Sequence, residues 1–268
     1  MTHIAPPSSV NTPAQPAAFS AAELAQFTQD GYVIVPKLAQ PQVCHAMIRA
    51  SCAALAGEIA PLEYEADVHY PGAPLSRQDR GGNTVRRLLH AYQRDALFRD
   101  WALNAAIIPR LRQLLGPQLM LVQAHHNCIM TKQPHFSSQT QWHQDIRYWA
   151  FARPELINVW LALTSETPEN GCLMLIPGSH QHDFARERFD DRLFLRPELP
   201  ENQRLLQTQI TARLNPGDVL FFHGRTFHAA GRNQTEDTKF SLVFTYHAKD
   251  NLPQPGTRSQ ALPEVPIP

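Results

Sequence analysis

The sequence predicts a mainly β fold, a sandwich or barrel preceded by helices, on three observations. Apolar residues change near residue 118 from three-and-four spacing to short unbroken runs. Turn residues separate those runs, and the runs recur several times before the chain ends.

Taken in order, residues 1 to 18 are rich in Pro, Ala and Ser and are expected to form a disordered tail. Ser20-Ala21-Ala22-Glu23 has the form of a capping box, and Gly31 is placed to end the helix it starts. Tyr32-Val33-Ile34-Val35 reads as a short β-branched strand stopped by Pro36. Residues 41 to 57 and 97 to 115 carry helical spacing, and Arg86-Arg87 with Leu88-Leu89-His90-Ala91-Tyr92 also reads as helical. Leu119–Val122, Asn158–Leu163, Leu173–Ile176, Val219–Phe222 and Phe240–Phe244 are the extended runs. Asn170-Gly171 lies between two of them and predicts a hairpin, and Asn215-Pro216-Gly217-Asp218 predicts a turn into the next strand. The expected organisation is one domain over 19 to 250, followed by a proline-rich tail, 251 to 268, lying on the surface without regular structure.

Twenty-four basic and twenty-four acidic side chains leave no net charge. There is thus no overall field to draw the chain onto nucleic acid or an anionic membrane. The first twenty residues lack a basic start followed by an apolar run, and no stretch approaches eighteen apolar residues, so a soluble, cytoplasmic protein is expected. The four cysteines are widely spaced with no C-x-x-C pair, which suits reduced thiols better than zinc or a disulfide framework. Thirteen histidines are the more informative count, since imidazole suits borderline-soft transition metals.

His143 and Asp145 stand two apart in Gln141-Trp142-His143-Gln144-Asp145-Ile146, and on a strand such residues share a face. With one distant histidine they would make the two-histidine, one-carboxylate triad that covers one face of an octahedral iron and leaves the rest open. In a histidine-rich chain an H-x-D pair also arises by chance, as hydrogen-bonded or surface residues. Phe221-Phe222-His223-Gly224-Arg225-Thr226-Phe227-His228 raises its weight, being an apolar strand with two histidines. Spacing does not choose between His223 and His228; the other is then an outer-shell or ordinary hydrogen-bonded histidine.

These motifs resemble the phytanoyl-CoA dioxygenase family, from about Gly31-Tyr32-Val33 to Tyr246. The resemblance is carried by Trp142-His143-Gln144-Asp145 with Tyr148-Trp149, Trp160-Leu161-Ala162-Leu163, Pro168-Glu169-Asn170-Gly171-Cys172-Leu173, Ile176-Pro177-Gly178-Ser179-His180 and the segment from Pro216 to Asn233. It implies a double-stranded β-helix, a jelly-roll or cupin-like core flanked by N-terminal helices, with His228 as the distal ligand. It also implies Fe(II), 2-oxoglutarate as cosubstrate and O2 as oxidant, acting on a small-molecule or lipid-like substrate. Where the family usually has arginine eleven residues past the distal histidine, this chain has Lys239, which either keeps the cosubstrate with a point donor in place of a fork or marks a different one. By the same match Trp160 and Cys128 correspond to the cosubstrate pocket, or else to core packing. Ala230 stands where a serine or glycine is common, so it offers no hydroxyl.

Asp145 fills the position that related halogenases leave small for chloride, which favours hydroxylation or another C–H oxidation. Substrate contacts are expected from Arg147, if the strand stays regular, from Arg86, and from one of His125 and His126, with His126 the candidate. Each also has a plain reading as a surface or wall residue. The rival functions are a metal-binding cupin-like isomerase or hydrolase, and a non-catalytic binding module on the same barrel.

Overall fold

The computed structural model describes residues 18–268 other than 69, 71 and 135, so nearly all of the expected disordered tail lies outside the described residues. Helix α1 (Ala21–Asp30) starts at the capping box: Glu23 N donates to Ser20 Oγ at 3.2 Å and Ser20 N to the Glu23 carboxylate at 2.7 Å. Gly31, with φ of 77°, ends it and turns the chain into β1 (Tyr32–Val35). Next come α2 (Pro41–Ala56), β2 (Leu62–Tyr64), β3 (Val85–Leu89), α3 (Ala91–Arg94), α4 (Ala96–Ala102) and α5 (Ile108–Leu115).

Two expectations fail here. Arg86-Arg87 lie on a strand, where alternation buries Arg86 and Leu88 and leaves Arg87 half-buried. The helix expected over 97–115 is two helices, broken where Asn104 Oδ1 accepts from Ala106 N at 2.8 Å in an Asx turn.

The remaining elements are β4 (Leu119–Lys132), β5 (Thr140–His143), β6 (Leu156–Ala162), β7 (Leu173–Leu175), α6 (Pro200–Leu206), β8 (Ile210–Thr211), β9 (Val219–His223), β10 (His228–Ala230), β11 (Lys239–Ala248) and β12 (Val265–Pro266). Among the described residues they form two antiparallel sheets. The larger runs β1-β9-β6-β11-β4-β3-β2 with β12 also against β4, and the smaller runs β5-β10-β7-β8.

Trp160, Leu220, Phe222 and Val243 of the larger sheet meet Leu173, Leu175 and Ala230 of the smaller one in the barrel interior. Their strand neighbours Val159, Leu161, Phe221, Leu242 and Phe244 point the other way, onto Phe27, Met47, Trp101 and Leu111 of the helices. Burial on both faces explains why β6 and β9 read as continuous apolar runs. The architecture is a double-stranded β-helix with helices packed outside.

Asn170-Gly171 does not close a hairpin. It joins β6 to β7, which lie in different sheets, through a single 3-10 turn at Pro168–Asn170 boxed by Thr167. Gly171 is left-handed there, with φ of 75°, and a Cβ on it would clash with the Gly231 carbonyl. The C-terminal segment is also more ordered than expected. β12 pairs with β4, Ile267 N donates to Leu119 O at 3.0 Å, and Ile267 is buried with the helix-side core.

One irregularity positions the site. Along the β4–β11 ladder Phe244 pairs with Asn127 but Thr245 pairs with Val122, so residues 123 to 126 bulge out of the register. A bulge re-aims side chains. This one carries His125 and His126 over the open end of the barrel.

Candidate metal centre

His143 closes β5 and His228 opens β10, and the two are direct partners in the ladder, with ring centroids 4.2 Å apart. Asp145 follows not on a strand but at the start of a 3-10 turn, Asp145–Tyr148; one extended residue, Gln144, is enough to bring its side chain to the same side. Its Oδ1 lies 3.6 Å from Nε2 of His143 and 3.6 Å from Nε2 of His228. The three donor atoms lie within 4.8 Å of one another and all three residues are buried.

The protonation state follows from the partners. His143 Nδ1 sits 2.8 Å from Gln141 O and His228 Nδ1 3.1 Å from Thr226 O. A carbonyl only accepts, so each Nδ1 carries a proton and each Nε2 faces the centre. Burial, and then the neighbouring His228, push the His143 imidazole down to about 3, so it is neutral at ordinary pH. Burial alone would raise the Asp145 carboxyl, but His126, His228 and His143 outweigh it and hold the group well below its usual range. Two imidazole Nε2 atoms and one carboxylate oxygen thus converge, and a divalent cation would satisfy that arrangement.

Behind the carboxylate, Asn158 Nδ2 donates to Asp145 Oδ2 at 2.8 Å. Asn158 Oδ1 accepts from Thr245 Oγ1 at 2.6 Å and lies 3.2 Å from His126 Nδ1. His126 is the histidine of its pair that reaches the centre, 3.6 Å from Asp145 Oδ2. His125 instead meets Ser259 Oγ at 2.8 Å and packs on Trp149.

Space opens on both sides of the three ligands. Inward is a chamber walled by Arg86, Lys132, Thr140, Trp160, Lys239 and Phe222. Outward is a cleft walled by Tyr70, Arg87, His125, His126, Trp149 and Arg258. Lys239 and Trp160 line the chamber, and both are tied to Glu166: Lys239 Nζ stands 3.1 Å from Oε2 and Trp160 Nε1 donates to Oε1 at 2.7 Å.

The other sequence candidates scatter. Cys128 is buried on the cleft side instead of the chamber wall, next to Arg87. Arg86 reaches the chamber, held by Glu65, Ser138 and Thr140. Arg147 does not share the inward face, because the 3-10 turn breaks the alternation of the strand. Its guanidinium rests 3.8 Å from the Phe194 ring centroid and donates to Arg192 O at 3.0 Å, over a separate groove. His223 stands apart from the triad, accepting from Arg225 N at 3.0 Å. Sequence reasoning missed Lys132, Asn158, Glu166 and Arg258; a polar residue inside a strand buried on both faces, as Asn158 is, was the available signal.

A sequence profile of the family described as phytanoyl-CoA dioxygenase (PhyH) matches residues 27–241. An ectoine dioxygenase of Stutzerimonas stutzeri is 26% identical over 253 residues, covering 87% of this chain and 79% of the relative. EctD from S. alaskensis, solved with 2-oxoglutarate and 5-hydroxyectoine, superposes with a TM-score of 0.70 at 20% identity, covering 93% of this chain and 86% of that one. The epimerase SnoN from nogalamycin biosynthesis, solved with Fe3+, alpha ketoglutarate and nogalamycin RO, gives 0.69 at 22% identity, covering 92% and 94%. The profile spans most of the chain, and the chain belongs to the phytanoyl-CoA dioxygenase family of non-haem iron, 2-oxoglutarate-dependent oxygenases.

Proposed function

We propose that the chain is an Fe(II)- and 2-oxoglutarate-dependent dioxygenase that hydroxylates an unactivated C–H bond of a small molecule, with His143, Asp145 and His228 as its metal ligands. The observation that carries this reading is the convergence of two imidazoles and one ionised carboxylate between an inward chamber lined by cations and an outward cleft. Bound there, iron with 2-oxoglutarate and O2 would supply the oxidising power that no protein side chain has.

The chain's own residues do the rest. The carbonyls of Gln141 and Thr226 fix both histidine tautomers, and the Asn158 amide occupies Asp145 Oδ2 so that Oδ1 faces the imidazoles. Lys239 offers positive charge at the depth where the far carboxylate of the cosubstrate would lie. The substrate would enter by the cleft, where Trp149 and the two bulged histidines form one wall. Arg258 lies past residue 241, where the match to the family profile ends, so the C-terminal segment supplies part of the cleft wall.

The test is an anaerobic titration with Fe(II) and then 2-oxoglutarate, following the weak visible charge-transfer band that chelation of the cosubstrate produces. Aerobic release of succinate is the second readout. Asp145→Ala is expected to lose tight Fe(II) binding, the band and turnover together. Full activity in that variant would end the assignment, and a metal-dependent reaction without succinate would favour an isomerase or hydrolase on the same barrel.

A further inference from the structure

Four cations line the inward chamber, and three of them have a counter-ion. Arg86 Nη1 lies 3.2 Å from Glu65, Arg87 Nη1 3.0 Å from Glu63 and Lys239 Nζ 3.1 Å from Glu166. Lys132 Nζ donates to the carbonyls of Ser138 at 3.1 Å and Gly231 at 2.6 Å, and among the described residues no carboxylate stands within ion-pair distance of it. It is only 8% exposed. Carbonyl dipoles do not neutralise an ammonium at that depth, so the fold buries a lysine amine without an anion beside it. Burial first, and then Arg86 and Lys239, push its pKa well below the usual lysine range, while Glu65 and Glu166 pull the other way. An arriving carboxylate would reverse that strain.

Lys132 and Lys239 are direct cross-strand partners on β4 and β11, so their stems leave the larger sheet side by side. An ammonium has three donors. Lys132 commits two of them to Ser138 and Gly231, and Lys239 commits two to Glu166 and Ser241. Each therefore keeps one N–H for the chamber. With Lys132 protonated, Arg86, Arg87, Lys132 and Lys239 against Glu63, Glu65 and Glu166 leave one positive charge.

We propose that Lys132 and Lys239 together form a two-point clamp for the distal carboxylate of a dicarboxylic 2-oxo acid, two lysines on adjacent strands taking the place of one two-pronged guanidinium. This rests on the triad being the iron and 2-oxoglutarate site. Glu166, outside the chamber wall, holds Lys239 directly through Oε2 and is itself fixed by Trp160 and Ser241, which donate to its Oε1.

The test uses the full chain loaded anaerobically with Fe(II). It is titrated with 2-oxoglutarate and with pyruvate, which has the same 2-oxo acid head and no distal carboxylate. The charge-transfer band and calorimetry give both affinities for wild type, Lys132→Gln, Lys132→Met, Lys239→Met and the Lys132→Met/Lys239→Met pair. Loss of one charged donor is expected to weaken 2-oxoglutarate by about 10- to 100-fold. Pyruvate and Fe(II) affinity should not change, and the double variant should fall short of the sum of the singles. If Lys132→Met does not fold, Lys132→Gln decides, since its amide can still donate to the two carbonyls.

Wild-type affinity for 2-oxoglutarate in the Lys132 variants overturns the clamp, as does an equal loss for both acids, which would mark a packing role. Loss in Lys239→Met alone would leave the cosubstrate reading standing and remove Lys132. A wild-type protein that binds Fe(II) but does not prefer 2-oxoglutarate to pyruvate would overturn both.

Discussion

Asn158 shows how much of the candidate site depends on a residue that touches no ligand. Its amide joins Asp145, Thr245 and His126 in one buried network, with bonds of 2.8 Å to Asp145 and 2.6 Å from Thr245. Asn158→Leu keeps the volume but frees the Asp145 carboxylate to rotate and leaves Thr245 without its acceptor. Fe(II) affinity measured by calorimetry is expected to drop about 10- to 100-fold, the range for losing an outer partner of a metal ligand. An unchanged affinity would show that the backbone alone aims Asp145. The His143-x-Asp145 pair could be noticed in the sequence, but such pairs also arise by chance; the second histidine-bearing strand gave it weight, and the family resemblance chose His228 over His223. Asn158, Lys132 and Glu166 were not legible there. Each is a single polar letter in or beside an apolar run, and which way it faces follows from strand register, which no local pattern records.

The short apolar strands β1, β6, β7, β9 and β11 were read from composition and turn residues, since burial on both faces leaves a continuous apolar signature. β3 was misread because Val85-Arg86-Arg87-Leu88-Leu89 lacks a clean alternation; Arg86 is buried by its partner Glu65, a long-range pairing. The bulge in β4 could not be read from the sequence: it interrupts the ladder at 123 to 126, where period-two alternation was expected to set which of His125 and His126 faces inward. The C-terminal segment was misread from its prolines. Ser259 is buried, accepting from Ala150 N at 2.9 Å, and Ile267 packs in the helix-side core. Ile267→Ala is therefore expected to cost about 2–4 kcal/mol. Urea unfolding should show a lower midpoint at an unchanged slope. A midpoint equal to wild type would mean that β12 is not held against β4 in solution.

For the molecule as a whole, enclosing histidines between two sheets and a layer of helices fixes the direction in which stability varies with pH. His125, His143 and His223 are each pushed down to about 3, by burial before any neighbouring charge. In the unfolded chain they titrate near 6.5. Between those values the unfolded state binds protons that the native state refuses, so the stabilisation is complete above pH 6.5 and is lost as the pH falls toward 3. Asp145, held low, has the same sign but contributes only below about pH 4, where an unfolded carboxylate starts to protonate. The window from 6.5 to 4 therefore belongs to the histidines, each contributing about 1.4 kcal/mol per pH unit. The iron-free protein should melt at a clearly lower temperature at pH 5.5 than at pH 7.5. His223→Gln, which cannot charge and lies away from the triad, should reduce that slope by about one histidine's share. A melting temperature that does not move over this range would mean that these imidazoles are reached by water, and the neutral state of His143 would lose its physical basis.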